Sequence, residues 1–122
     1  MHKHWPELAA GLTPALKELR GGAPEVMKGF SAIARAALEG SSLDAKTKEL
    51  IALAISVAIR CDACIAFHAE SAVKRGASRA EMMETMGMAI YMGAGPSVMY
   101  AAQAVEAFDQ FAAGKPDKGT AG

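Results

Sequence analysis

The sequence predicts an all-α fold of about six helices, and three features carry the prediction. Hydrophobic residues make up 52% of the 122 positions while only 6% are aromatic, a balance rich in alanine and methionine that suits packed helices rather than sheets. Apolar residues recur at helical spacing between glycine and proline stops. No strand run and no internal repeat interrupts that pattern, and the connections are short.

At 122 residues the chain is long enough for one hydrophobic core but not for two, so a single domain over 1–122 is expected. The formal net charge is zero and the charges are scattered. That distribution excludes a polybasic footprint for nucleic acid or anionic lipid. The longest apolar run is about half of the ~20 residues a membrane span needs. The start, MHKHWPELAAGL, has no apolar signal-peptide core. A cytoplasmic protein is therefore expected, and in that compartment a C-x-x-C pair reads as catalytic or metal-binding rather than as a structural staple.

Taken in order, the first helix candidate spans Pro6 to Leu19 and is broken or kinked at Pro14, which lacks an amide hydrogen. Trp5 offers an apolar plug for the core or a neighbouring subunit, and Gly21-Gly22 marks a turn. Pro24 opens a second helix at a favoured first position, with Glu25 complementing the dipole and Gly40 ending it. Its stripe is Val26, Phe30, Ile33, Ala34, Ala37 and Leu38.

Ser41, Ser42 and Asp44 offer an N-cap for a third helix running to Ile59 or Arg60. Leu50, Ile51, Leu53, Ile55, Val57 and Ile59 surround it, so it is expected to be central and buried on all sides. A break at Arg60-Cys61-Asp62 precedes a fourth helix that ends at Gly76. Ser78-Arg79-Ala80-Glu81 is a capping box for a fifth helix carrying Met82, Met83, Met86, Ile90 and Tyr91. That helix ends in Met92-Gly93-Ala94-Gly95-Pro96, where Pro96 starts a sixth, and residues 114–122 read as a frayed tail. The methionine-rich stretch from Met82 to Met99 reads as core or subunit interface, with Gly87, Gly93 and Gly95 permitting close helix approach there. So much apolar surface on a chain of this size points to a homo-oligomer.

The chemistry-bearing residues lie between Glu49 and His68. Cys61, Cys64 and His68 stand at i, i+3 and i+7, which on one helix fall within about 60° of one another. The two sulfurs can meet there, with an imidazole one turn beyond. That spacing suits a dithiol cycling to a disulfide beside a proton acceptor. Amide hydrogens at a helix start favour a thiolate at Cys61, whereas the histidine at i+4 favours Cys64, so the residues alone leave the nucleophile open. Glu49 reaches His68 only if the chain reverses between the third and fourth helices, and it would then orient the imidazole as a triad carboxylate does. Other readings stand beside this one. Two cysteines at this spacing also suit small core residues, and Glu49 suits an ordinary first-turn charge. Cys61, Cys64 and His68 also offer the three ligands of a catalytic zinc, while His2 and His4 lie far off near a loose end.

Glu49, eleven residues, Cys61-Asp62-Ala63-Cys64, three residues and His68 together resemble the alkyl hydroperoxidase D-like branch of the carboxymuconolactone decarboxylase-like family. The resemblance covers about Lys28 to Phe111, the expected core of the domain, and includes the Ser78-to-Glu81 helix start. It implies a helical protein assembled as a trimer or hexamer that reduces hydroperoxides with its own thiols, without a cofactor or metal. Cys64 would be the peroxidatic residue, Cys61 would resolve the sulfenic acid, and Glu49 and His68 would relay the proton. An external dithiol protein or small thiol would supply the electrons. The match departs at Ala63, where the best-studied members carry a further histidine, so the relay has one station fewer. The alternatives are a redox-inactive oligomer binding a small molecule or metal, and a lactone decarboxylase drawing on Arg35, Arg60, Arg75 and Arg79.

Overall fold

The computed structural model describes residues 1–114, and every element in them is helical. In chain order these are α1 (Trp5–Gly11), α2 (Thr13–Gly22), α3 (Pro24–Glu39), α4 (Ala45–Ala58), α5 (Asp62–Lys74) and α6 (Arg79–Gly114). The tail expected to fray lies, from residue 115, outside the described residues. The expected fifth and sixth helices form one element of 36 residues, broken at Ala94 with φ 55° and ψ −140°. Pro96 follows two residues later, where its missing amide hydrogen is one that a new helix start would leave unpaired in any case.

Local chemistry accounts for each boundary. The break in the first segment falls at Leu12 rather than at Pro14, because Pro14 is accommodated in the first turn of α2. Of the three cap candidates before α4, Asp44 is the one used, its carboxylate accepting from the Thr47 amide at 2.8 Å. The capping box forms as a reciprocal pair. The Ser78 amide donates to Glu81 Oε1 at 2.8 Å, and the Glu81 amide donates to Ser78 Oγ at 3.1 Å.

Two helix ends share one device. The Cys61 and Arg60 amides donate to the carbonyls of Ser56 and Val57 at 3.1 and 3.2 Å, closing a Schellman motif with Arg60 in the left-handed region at φ 57°. Ala77 and Gly76 repeat it on the carbonyls of Ala72 and Val73, with Gly76 at φ 83°. Glycine adopts that conformation freely, whereas Arg60 carries about 1–2 kcal/mol of strain. The strained corner folds α5 back along α4.

The core is the packing of α4, α5 and α6, with α1 laid across α5 and α6. Leu53, Val57, Ile65 and Met82 are fully buried, and Trp5 plugs the core of its own chain. Each such side chain contributes about 1.5–3 kcal/mol. Ala66, Ala69 and Ala72 on α5 and Ala101, Ala104 and Ala107 on α6 are also buried, small residues that let helices approach closely.

α4 is central but not enclosed. Ile51, Ile55 and Ile59 are 44%, 54% and 64% exposed, because α5 and α6 cover only the Leu50, Leu53 and Val57 face. α3 buries no residue and leaves Val26, Phe30 and Ile33 largely bare. It packs on α2 and is tied to α4 by Lys48 Nζ, which donates to the carbonyls of Ala37 and Gly40 at 3.0 and 2.9 Å. The methionine stretch divides. Met82 and Met86 lie in the core, while Met88, Met92 and Met99 are exposed. Of the three glycines there, only Gly93 sits tightly, since a Cβ on it would meet Ser97 Oγ of its own helix at 1.9 Å.

Candidate active site

Glu49 lies in the first half of α4, near the cap that Asp44 provides. Because the Arg60 corner reverses the chain, α5 carries His68 back to the same level. His68 Nδ1 stands 2.8 Å from Glu49 Oε2, although the residues are 19 apart in sequence. Glu49 is 7% exposed, so its carboxylate is nearly removed from water, while the His68 side chain is 38% exposed. A carboxylate only accepts hydrogen bonds, so Nδ1 carries the hydrogen and the Nε2 lone pair of a neutral imidazole is left free.

Cys61 is the N-cap of α5, and its Sγ accepts from the Cys64 amide at 3.2 Å. The sulfurs of Cys61 and Cys64 are joined in a disulfide, with Cα atoms 5.2 Å apart. Both cysteines are half-buried. The four residues singled out by spacing are thus two bonded pairs on one hairpin, with His68 one turn beyond Cys64.

A cavity of about 410 Å³ opens beside the carboxylate–imidazole pair. Ala34, Ala37 and Leu38 of α3 and Ile51, Ala52 and Ile55 of α4 wall it, with Glu49 and His68 at the boundary and Lys48 contributing beside them. None of Arg35, Arg60, Arg75 and Arg79 lines this cavity. Arg79 is paired with Asp109 at 3.1 Å, and Arg35 lies with Arg20 in the cleft between α2 and α3. The alternative of a zinc held by Cys61, Cys64 and His68 finds no ready ligand set. Among the described residues no three His, Cys, Asp or Glu side chains are placed to hold a metal ion, since the sulfurs bond each other and Glu49 engages His68.

One part of the surroundings had no signal in the sequence. The segment before α1 is tied down instead of forming a loose end. The backbone amides of His2 and Lys3 and the indole of Trp5 all donate to the Glu106 carboxylate, those of Lys3 and Trp5 at 2.9 and 2.8 Å. These donors, the His2 amide foremost, hold Glu106 down to about 2 from an ordinary 4.5, against the opposing effect of burial. Gln110 completes the anchor, accepting from the Trp5 amide at 2.7 Å and donating to the Lys3 carbonyl at 2.6 Å. The Lys3 ammonium is thereby carried to Asp62, between the two cysteines.

No helix among the described residues is long and apolar enough to cross a membrane. Residues 24–107 match the carboxymuconolactone decarboxylase family. An uncharacterised protein of Haemophilus influenzae is 43% identical over 108 residues, covering 88% of this chain and 96% of its own. One of Cupriavidus necator is 41% identical over 86 residues, covering 70% of this chain and 76% of its own. Among solved structures, a carboxymuconolactone decarboxylase family protein of Legionella pneumophila superposes with a TM-score of 0.85 at 50% identity, covering 88% of this chain and 96% of that one. A family member from Thermotoga maritima, for which an antioxidative role has been suggested, superposes with a TM-score of 0.75 at 29% identity, covering 84% and 87%. The chain belongs to the carboxymuconolactone decarboxylase family, and its Cys61–Cys64 pair is consistent with the alkyl hydroperoxidase D-like branch.

Proposed function

We propose that the protein is a thiol-dependent peroxidase that reduces organic hydroperoxides through a Cys61–Cys64 dithiol/disulfide cycle. The observation that carries this reading is the Glu49–His68 hydrogen bond, one turn beyond a cysteine pair already joined as its oxidised form. The suggested antioxidative role of the Thermotoga maritima relative points the same way.

In the reduced protein, His68 Nε2 accepts the Cys64 thiol proton, and buried Glu49 stabilises the imidazolium that forms. The Cys64 thiolate attacks the distal oxygen of ROOH. The O–O bond breaks, RO⁻ takes the proton from His68 and leaves as the alcohol, and Cys64 becomes a sulfenic acid. Cys61 then attacks the Cys64 sulfur, closing the disulfide and releasing water. Two external thiols, oxidised to their own disulfide, return the pair to the dithiol by exchange. The Cys64 amide that donates to Cys61 Sγ stabilises a thiolate there, which suits Cys61 as the sulfur that departs when the disulfide reopens.

The aliphatic walls of the cavity beside His68 suit a hydroperoxide with an apolar chain. The reading includes self-association, because Phe30, Ile33, Ile59 and Met92 are 62–76% exposed, and large apolar side chains left bare on a small chain suit a subunit interface. The test is intact mass of the reduced protein before and after one equivalent of an organic hydroperoxide. Loss of two hydrogens is expected, and it should be absent in Cys64→Ser. Unchanged mass with both thiols still titratable would sink the reading.

A further inference from the structure

We propose that Lys3 is a positioning residue for the cysteine pair, acting through Asp62 to keep a thiolate favourable in the reduced protein. This inference rests on the redox reading of Cys61 and Cys64 but can fail independently of it.

Asp62 is the first residue of α5 and sits directly beside the N-cap Cys61. Its carboxylate complements the helix N-terminus. The same negative charge opposes a thiolate at the neighbouring sulfur, which is where the Cys64 amide offers stabilisation. Lys3 resolves that conflict, pairing its ammonium with Asp62 Oδ2.

Surface ion pairs usually contribute little, because two long side chains must be ordered in water. Here the ordering is done elsewhere. Lys3 Nζ also donates to Gln103 Oε1 at 2.9 Å and lies 5.3 Å from the centroid of the Trp5 ring. The backbone under it is held by Glu106 and Gln110, and Trp5 beside it is fully buried. The Lys3 and Asp62 side chains are about two-thirds covered, at 31% and 37% exposure, which weakens screening. The other charged or titratable groups nearest the pair are Arg60, two residues before Asp62 in the chain, and Glu106 of α6 with His2, both of which adjoin the Lys3 backbone. Of these, none is paired with Asp62, so Lys3 is its counter-charge.

The test is a pH titration of thiolate ultraviolet absorbance in the reduced protein, for wild type, Lys3→Met, Lys3→Arg and Asp62→Asn, with circular dichroism to confirm folding. A unit charge acting over about 6 Å through a largely water-like dielectric changes such an equilibrium about three- to fivefold. Lys3→Met is expected to lower the thiolate fraction at neutral pH by that factor, and Lys3→Arg to restore it. Asp62→Asn is expected to move it the opposite way, and it keeps the proposal falsifiable should Lys3→Met fail to fold. A Lys3→Met curve that superimposes on wild type, or an unmoved Asp62→Asn curve, overturns the proposal. Hydroperoxide consumption by wild type is read separately. If it is absent the peroxidase reading falls, while the thiol titration still decides the role of Lys3.

Discussion

His68 donates from Nδ1 to a Glu49 carboxylate that is almost wholly buried, across a corner formed by a left-handed Arg60. The buried acceptor orients the ring and selects its tautomer, leaving Nε2 as the free nitrogen of a side chain that is 38% exposed. Removing the imidazole should cost the full proton transfer, about 10²–10⁴-fold in peroxide reduction, in His68→Ala. Glu49→Gln should cost about 10–100-fold, as expected for a group that orients another. Steady-state hydroperoxide consumption with a dithiol reductant measures both. Equal activity in wild type and Glu49→Gln would remove Glu49 from the mechanism.

Arg60→Gly should stabilise the protein by up to about 1 kcal/mol, since relief of left-handed strain exceeds the extra chain entropy of glycine. Urea denaturation of the oxidised protein reads the difference. A destabilised variant would mean that the Arg60 side chain contributes more than its backbone costs.

Leu53→Ala should destabilise by about 2–5 kcal/mol, because Leu53 is fully buried at the centre of the α4–α6 packing. Ile55→Ala, on the bare face of the same helix, should change stability by less than about 1 kcal/mol in the absence of a partner. Thermal melts at matched concentration separate the two faces.

Glu106 makes stability depend on pH in one direction. Its folded value lies near 2 against an ordinary 4.5. Its contribution is therefore fully present above about pH 4.5 and is lost as pH falls through about 2, where the folded state too must take up the proton. Glu106→Gln should flatten the stability profile between those values and leave it unchanged in shape above them. Denaturant titrations at several acidic pH values test this.

Light scattering should find the protein associated in solution. Phe30→Asp combined with Ile33→Asp, on the unburied stripe of α3, should shift it toward monomer without loss of helicity. A wild-type monomer would remove self-association from the proposed function.

Local chemistry made most of the fold legible. The Asp44 cap, the Ser78–Glu81 box, Pro24, Gly40, Gly76 and the break at Arg60 all depend on residues within a few positions of one another, so their physics is readable in a short window. The spacing of Cys61, Cys64 and His68 belongs to the same class, because one helix relates all three. Periodicity failed on α4, where apolar residues on every side suggested full burial. Periodicity records which faces a helix could bury, not how many neighbours arrive to bury them, and here they cover only one side.

The sequence by itself determined the helical class, the element boundaries from Pro24 onward and the reactive motif, through propensity, capping and spacing. Only the tertiary structure decided that Glu49 meets His68, that α3 leaves a cavity beside them, and that Lys3 reaches Asp62 from 59 residues away. Those relationships depend on how helices pack and on long-range polar anchors such as Glu106 and Gln110. Their partners lie about a hundred positions away, and no local rule connects them.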